Sequence, residues 1–283
     1  MLAQGARNRL ALQGGGRLPR SARRIRLPEV SLKGLPTFEE PSPSPEKVSA
    51  VHRAIDQGEV GIVFQPVFDV RLKRVFGYEA LARPRSPHLK GPLDLFRTAV
   101  AVGRVGELAR GFRTLAVQFC PQWPLFLNVF PNEFDQPYLV QPDDAIFRHR
   151  YPVYLEILES VPLSHFEQCR GMLAEIRARG ILLAVDDLGA GYSNLKYIEE
   201  LNPQIVKLDR QLVAGVRHES RQFRLLRSII RLCHDMDAKV VVEGIETFGE
   251  LSAAVEAGAD YCQGYLLARP ALPPPPVTRD SYW

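Results

Sequence analysis

The feature that most narrows the folding options is a repeat. Short apolar segments rich in branched residues alternate with helix-length stretches from residue 60 onward. VGIVFQPVF (60–68), VFGYEALA (75–82), LFLNVF (125–130), VYLEILE (153–159), the run from Ile181, IVKLD (205–209), KVVVEGI (239–245) and YCQGYLLA (261–268) make eight strand candidates. Residues 95–119, 166–179 and 222–236 read as helices. In 222–236 Phe223, Leu226, Ile230 and Cys233 recur at helical spacing while Arg224, Arg227 and Arg231 take the other face, as on a helix lying against a sheet. Strands apolar on both faces require cover on both faces, which parallel strands wrapped by helices provide. The repeat therefore predicts an α/β protein with a (β/α)8 TIM-like barrel, and 283 residues with 46% hydrophobic content suit one such core.

Polar residues interrupt these segments at comparable places. Glu79, Asn128, Glu156, Asp186 with Asp187, Lys207, Glu243 and Gln263 fall within or just after the second to eighth candidates. Each would cost several kcal/mol if buried without a partner, so one on every strand implies that they gather at one end of the barrel. Taken singly, each has a structural explanation: Asn128 binding a loop backbone, Glu156 pairing with an arginine, Lys207 with Asp209, Glu243 with a lysine, Gln263 satisfying a strand end. ILLAVDDLGAGY (181–192) is the sharpest case. Adjacent carboxylates at a strand end imply a cation, although Asp187 is equally suited to cap a helix through Ser193, Leu195 and Ile198. Together the set fits hard-cation phosphoryl chemistry, since oxygen donors without Cys or His select Mg²⁺ or Mn²⁺ and two such ions can share Asp186. A lysine among them can orient or deprotonate a water.

Composition excludes other classes. Removing the eight basic and four acidic residues of the first 46 leaves 28 of each sign, so the formal charge of +4 belongs to the N-terminal segment. No broad basic surface marks a nucleic-acid polymer as partner. That segment, 1–46, has seven arginines and no acid before Leu27 and ends in PSPSP, and reads as a disordered basic tail with a stiff linker. Its functional reading is weak contact with an anionic surface; the plainer one is a solvated tail. Residues 47–272 form the catalytic domain and 273–283 a proline-rich tail. Cys120, Cys169, Cys233 and Cys262 are too scattered for a zinc knuckle or a disulfide framework. With no signal segment and no membrane-length apolar run, the cytoplasm is the expected setting.

Eight ordered motifs, FQPVF, GYEALAR, FLNVF, YLEILES, VDDLGAGYSNLKYI, IVKLDRQLV, VVVEGIET and CQGYLLARP, make the chain resemble the EAL domain family of cyclic di-GMP phosphodiesterases over about residues 51–270. The resemblance implies a barrel whose first strand is antiparallel, a homodimer, and hydrolysis of cyclic di-GMP to linear pGpG with two divalent ions, Mg²⁺ or Mn²⁺. It further implies that Glu79, Asn128, Glu156 and Asp186 ligate one metal, that Asp186 and Asp187 hold the second with Glu243 acting through water, and that Lys207 positions or activates the nucleophile. Glu246 would support the site, Gln65, Arg83 and Gln263 would contact the dinucleotide, and Glu159 would steady the DDLGAGYSN loop.

The chain departs from the family pattern at Leu158, where a threonine is usual, at Leu188, Ala190 and Asn194 in the glycine-rich loop, and at Pro84, where a tryptophan is usual. None removes an implied ligand. The lost threonine hydroxyls weaken the implied link between loop and metal, which implies slow turnover. If Glu159 only anchors that loop, Glu159→Gln lowers turnover and metal affinity together and leaves thermal stability nearly unchanged, as measured by steady-state kinetics beside thermal melts.

Overall fold

The computed structural model of the chain describes residues 42–134, 139, 141–158, 163–189 and 196–276. Ser44 caps the first helix, α1 (Pro45–Asp56), with Pro45 at its first turn, a position where the missing proline N–H costs nothing. Thus Pro45 and Glu46, which composition assigns to the linker, open a helix. Strands β1 (Val60–Asp69) and β2 (Arg74–Pro84) form a hairpin, followed by α2 (Pro92–Ala101) and α3 (Val105–Phe119). The expected single helix over 95–119 is broken in two where Gly103 takes φ +69°, a conformation few other residues adopt cheaply.

Next come β3 (Leu125–Asn128), β4 (Val153–Leu158), α4 (Leu163–Ala178), β5 (Leu182–Leu188), α5 (Lys196–Leu201), β6 (Ile205–Leu208), α6 (Arg221–Asp235), β7 (Lys239–Val242), α7 (Phe248–Ala257) and β8 (Tyr261–Cys262). The strands close in sequence order into one barrel. β1 is antiparallel to β2 and β8, and all other neighbours are parallel. The barrel and its reversed first strand are as expected. β8 is too short to seal β1 alone, and Ala271 completes the seam by exchanging backbone hydrogen bonds of 2.8 and 3.0 Å with Phe64. The loop between β3 and β4 is held by a buried triad, in which Arg113 of α3 donates from Nε to Asp144 (2.9 Å) and from Nη1 to Glu133 (2.5 Å).

The barrel interior has two storeys. Its floor is a separate apolar cluster of Val67, Phe126, Tyr154, Ala184, Ile205 and Val241, joined by Phe76, Leu182 and Tyr261. Phe126 stacks on Tyr154 at 4.6 Å and Phe76 on Tyr261 at 4.3 Å between ring centroids. Side chains alternate between the faces of a strand, so the next inward position lies two residues on. From Phe126 that is Asn128, from Tyr154 Glu156, from Ala184 Asp186, from Ile205 Lys207, from Val241 Glu243 and from Tyr261 Gln263. On antiparallel β1 the step from Val67 runs backwards, to Gln65. On β2 it takes three residues, Phe76 to Glu79, because Val67 pairs with Gly77 and Phe68 with Val75, leaving Phe76 as an extra residue in a bulge.

At the opposite end of the barrel, Asp260 ties β7 to the start of β8 by accepting hydrogen bonds from Lys239 Nζ (2.8 Å), Val240 N (2.9 Å) and His234 Nε2 (2.7 Å). Burial alone would raise the Asp260 carboxyl, but these bonds outweigh it and hold it below its ordinary value. A carboxyl lowered on folding contributes stability above its unfolded pKa of about 4 and loses it as pH falls through the folded value. Asp260→Asn is therefore expected to cost about 1–2 kcal/mol at neutral pH, allowing for partial exposure. It should also flatten the fall in stability below about pH 4, as chemical denaturation across pH measures.

Candidate active site

The inward step from floor to rim gathers Glu79, Asn128, Glu156, Asp186, Glu243 and Gln263 about Lys207, which is 1% exposed, while the Gln65 amide donates to the Ala268 carbonyl at 3.3 Å. Lys207 Nζ lies 2.6 Å from Glu156 Oε1, 2.8 Å from Glu243 Oε1, 3.0 Å from Asp186 Oδ1 and 3.7 Å from Glu79 Oε2. Asn128 Nδ2 donates to Glu156 Oε2 at 3.0 Å and to Glu79 Oε1 at 3.3 Å, and Gln263 Nε2 donates to Glu79 Oε2 at 2.7 Å. Of the single-residue explanations, only the Glu243–lysine pair describes what forms. Lys207 pairs with four carboxylates from other strands, Glu156 meets a lysine, and the two amides bind carboxylates.

Asp187 belongs to β5. In a regular strand it would point away from Asp186, yet its φ is +59° and the pairing of β5 with β6 shifts between Val185 and Leu188. One carboxylate oxygen each from Asp186, Asp187 and Glu243 consequently lie within 4.8 Å of one another. The alternative reading of Asp187 as a helix cap involves Ser193 and Leu195, which lie outside the described residues.

Electrostatics follow from crowding. Burial pushes the Glu156 carboxyl well above its ordinary range, opposed by Lys207 and reinforced by Glu79 and Asp186. Burial likewise pushes Glu243 up to about 8, and burial with Asp186 pushes Asp187 up to about 6. For Lys207 burial alone would lower the pKa, but Asp186, Glu156, Glu243 and Glu79 override it and hold the ammonium well above its usual value. Lys207 is thus a fixed cation. Glu156 Oε1 and Asp186 Oδ1 sit within ion-pair distance of it but make no well-directed hydrogen bond, so both retain unused acceptor capacity. An all-oxygen donor set in which four carboxylates share the single charge of the buried Lys207 fits a hard divalent cation.

A cavity of about 250 Å³ opens above the ring, lined by Gln65, Glu79, Glu243, Glu246 and Gln263 together with Arg210, Gly244, Gly264 and Tyr265. Gln65 and Glu246 are thus both at this cavity. Arg83 does not line it; its Nη1 donates back to the Ala82 carbonyl at 2.8 Å. Glu159, Ala190 and Asn194 lie outside the described residues, while Leu188 is buried among the apolar side chains around β6 and β7.

Arg210 and Tyr265 carry no periodic signal, and sequence reasoning does not single them out. Arg210 is the only cation lining this cavity among the described residues. Its stem crosses Gly244, where an added Cβ would meet Arg210 Cβ at 2.5 Å, and its Nη2 donates to Glu246 Oε2 at 2.7 Å. Gly244 takes φ +67°. Tyr265, 50% exposed, has the Arg269 guanidinium 4.4 Å above its ring.

Comparison with known proteins places this arrangement. The chain is 31% identical over 240 residues to the cyclic di-GMP phosphodiesterase RocR of Pseudomonas aeruginosa, covering 79% of this chain and 60% of RocR. It is 27% identical over 243 residues to the probable cyclic di-GMP phosphodiesterase PdeG of Escherichia coli, covering 81% of this chain and 48% of PdeG. These relatives are longer proteins, of which the chain spans about half. Among solved structures, a calcium and cyclic di-GMP complex of BlrP1 from Klebsiella pneumoniae superposes with a TM-score of 0.68 at 28% identity, over 77% of this chain and 57% of that one. An EAL domain protein from Listeria monocytogenes gives 0.67 at 27% identity, over 79% and 93%. The EAL domain model matches residues 48–270, and the chain belongs to the EAL domain family.

Proposed function

We propose that the chain is a metal-dependent phosphodiesterase that opens cyclic di-GMP to linear pGpG. The observation that carries the reading is the set of four carboxylates, Glu79, Glu156, Asp186 and Glu243, joined to one buried lysine by contacts of 2.6 to 3.7 Å and braced by the Asn128 and Gln263 amides. Glu79, Asn128, Glu156 and Asp186 would hold one divalent ion, and Asp186 with Asp187 a second, with Glu243 beside them. When bound, such ions polarise a phosphodiester and lower the pKa of water. The protonated Lys207 is suited to orient the nucleophile and to offset carboxylate charge, and not to remove a proton. Gln65 and Gln263 present amide groups at the mouth of the cavity, and the amide of Gln263 is fixed by Glu79. RocR is named as a cyclic di-GMP phosphodiesterase, and BlrP1 complexes hold calcium or manganese with cyclic di-GMP, which supports the same ligand and Mg²⁺ or Mn²⁺ here.

A second reading is a cyclic di-GMP receptor that turns over slowly or not at all. Leu158 favours it, since the strand that carries Glu156 ends on an apolar side chain where the family usually offers a hydroxyl. For the expected homodimer, Leu225 and Leu232 on α6 and Met236 just past its end are 52%, 36% and 38% exposed, giving apolar area to bury. No helix among the described residues is long and apolar enough to cross a membrane.

The deciding experiment incubates purified protein with cyclic di-GMP and Mg²⁺ or Mn²⁺, with product identification beside a binding titration. We expect pGpG to accumulate and Glu79→Ala to lower kcat by about 100-fold or more; binding without hydrolysis above the Glu79→Ala level leaves the receptor reading. Arg210, poised at the mouth, is expected to contribute to binding and not to the chemical step. Arg210→Ala should raise KM about tenfold, the worth of one charge-assisted hydrogen bond, with kcat changed less than about twofold.

A further inference from the structure

α6 rests on the barrel by Phe223, Leu226, Ile230 and Cys233, all buried. Its outward side carries two rows. Arg224, Arg227 and Arg231, spaced i, i+3 and i+7, form one, and Arg221 stands a turn before them. Leu225 and Leu232, seven residues apart, form the other, and Met236 extends it just past the helix end. All seven side chains are exposed.

The arginines have little to answer them. The helix holds four arginines and one acid, Asp235. Arg231 reaches that carboxylate only at 4.0 Å, with both side chains largely in solvent. Arg224 donates to the Glu219 carbonyl at 2.6 Å, and the Arg227 guanidinium lies 5.6 Å over the Phe223 ring. Unneutralised cations beside large exposed apolar side chains fit a partner that supplies both negative charge and an apolar phase.

The two rows run the length of the helix, about 22 Å. The outside of a barrel is convex, so a helix lying on it meets a plane more readily than it fills a groove. An anionic leaflet offers such a plane, with charge at its surface and hydrocarbon beneath. A second copy of the chain is the competing cover, because the same leucines give a dimer apolar area. It would, however, double the arginines at the contact and add only a second Asp235.

We propose that the outer face of α6 docks the protein on an anionic lipid bilayer, with Leu225, Leu232 and Met236 entering the leaflet and Arg221, Arg224, Arg227 and Arg231 at the headgroups. None of these residues lines the cavity above the carboxylates, so docking and entry to that cavity use different surfaces.

The N-terminal segment has eight basic residues of its own, so every sample keeps it and only α6 is varied. Full-length protein is expected to sediment with vesicles of phosphatidylcholine containing about one-third phosphatidylserine, and to remain in solution with phosphatidylcholine alone. Arg224→Glu with Arg231→Glu should lower partitioning at least about 25-fold, counting about fivefold for each arginine lost. Leu225→Asp with Leu232→Asp should lower it at least about tenfold. Failure of the wild-type chain to sediment would overturn the proposal, as would partitioning that either pair of substitutions leaves unchanged, which assigns the binding to the N-terminal segment. Ser228, exposed between the rows, gives a second measurement that keeps every arginine and leucine, because the four native cysteines are buried. An environment-sensitive fluorophore on Ser228→Cys is expected to shift to the blue with the anionic vesicles and at no protein concentration without them. Emission unmoved by vesicles, or a shift that grows with protein concentration alone and so places a second copy there, would also overturn it.

Discussion

Everything at the barrel rim depends on one ammonium group. Lys207 is enclosed by four carboxylates from other strands, and none of the five groups has a stable place without the rest. Desolvating an ion costs several kcal/mol, and removing one partner of a buried pair leaves the other uncompensated. The lysine therefore fixes the inward direction of β2, β4, β5 and β7 at once, while the Asn128 and Gln263 amides hold the lone pairs of Glu79 and Glu156 that the lysine does not reach. Negative charge still exceeds positive in the cage, so its most favourable state includes further positive charge: protons, as the raised Glu156, Glu243 and Asp187 carboxyls show, or metal ions.

Much of this is legible in the sequence, because two periodicities carry it. Apolar runs separated by helical stretches give the barrel, and a polar residue in each run gives the ring, since an unpartnered Glu or Lys in such a strand has nowhere else to go. What periodicity cannot give is length and partner. It makes β7 and β8 too long because Ile245 and Leu267 are buried although they lie in loops, so burial alone does not make a strand. It leaves the helix over 95–119 whole because a single glycine in a helix-forming context is an ambiguous signal, decided here by the left-handed turn at Gly103. Arg210 and Tyr265 escape it for a related reason: both sit on loops, where the positions that face a cavity follow no repeat.

Two local irregularities are needed to complete the ring. The extra residue at Phe76 lets β2 place a phenylalanine in the floor and Glu79 in the rim, which a regular strand with an odd separation could not do. The left-handed backbone of Asp187 lets two consecutive carboxylates approach the same point. Such strain persists only where surrounding structure enforces it, here the buried strands on either side. The substitutions Leu158 and Leu188 leave these devices intact; Leu188 packs with the β6 and β7 core, at a distance in kind from the polar chemistry a residue above.

The stacked aromatic floor has a further consequence for traffic. Rings packed across the barrel close its interior beneath the carboxylates, so among the described residues the cavity above them opens past Arg210, Glu246 and Tyr265. A side chain that changes its size or charge at that opening therefore acts on whatever enters from that side without touching the carboxylates below.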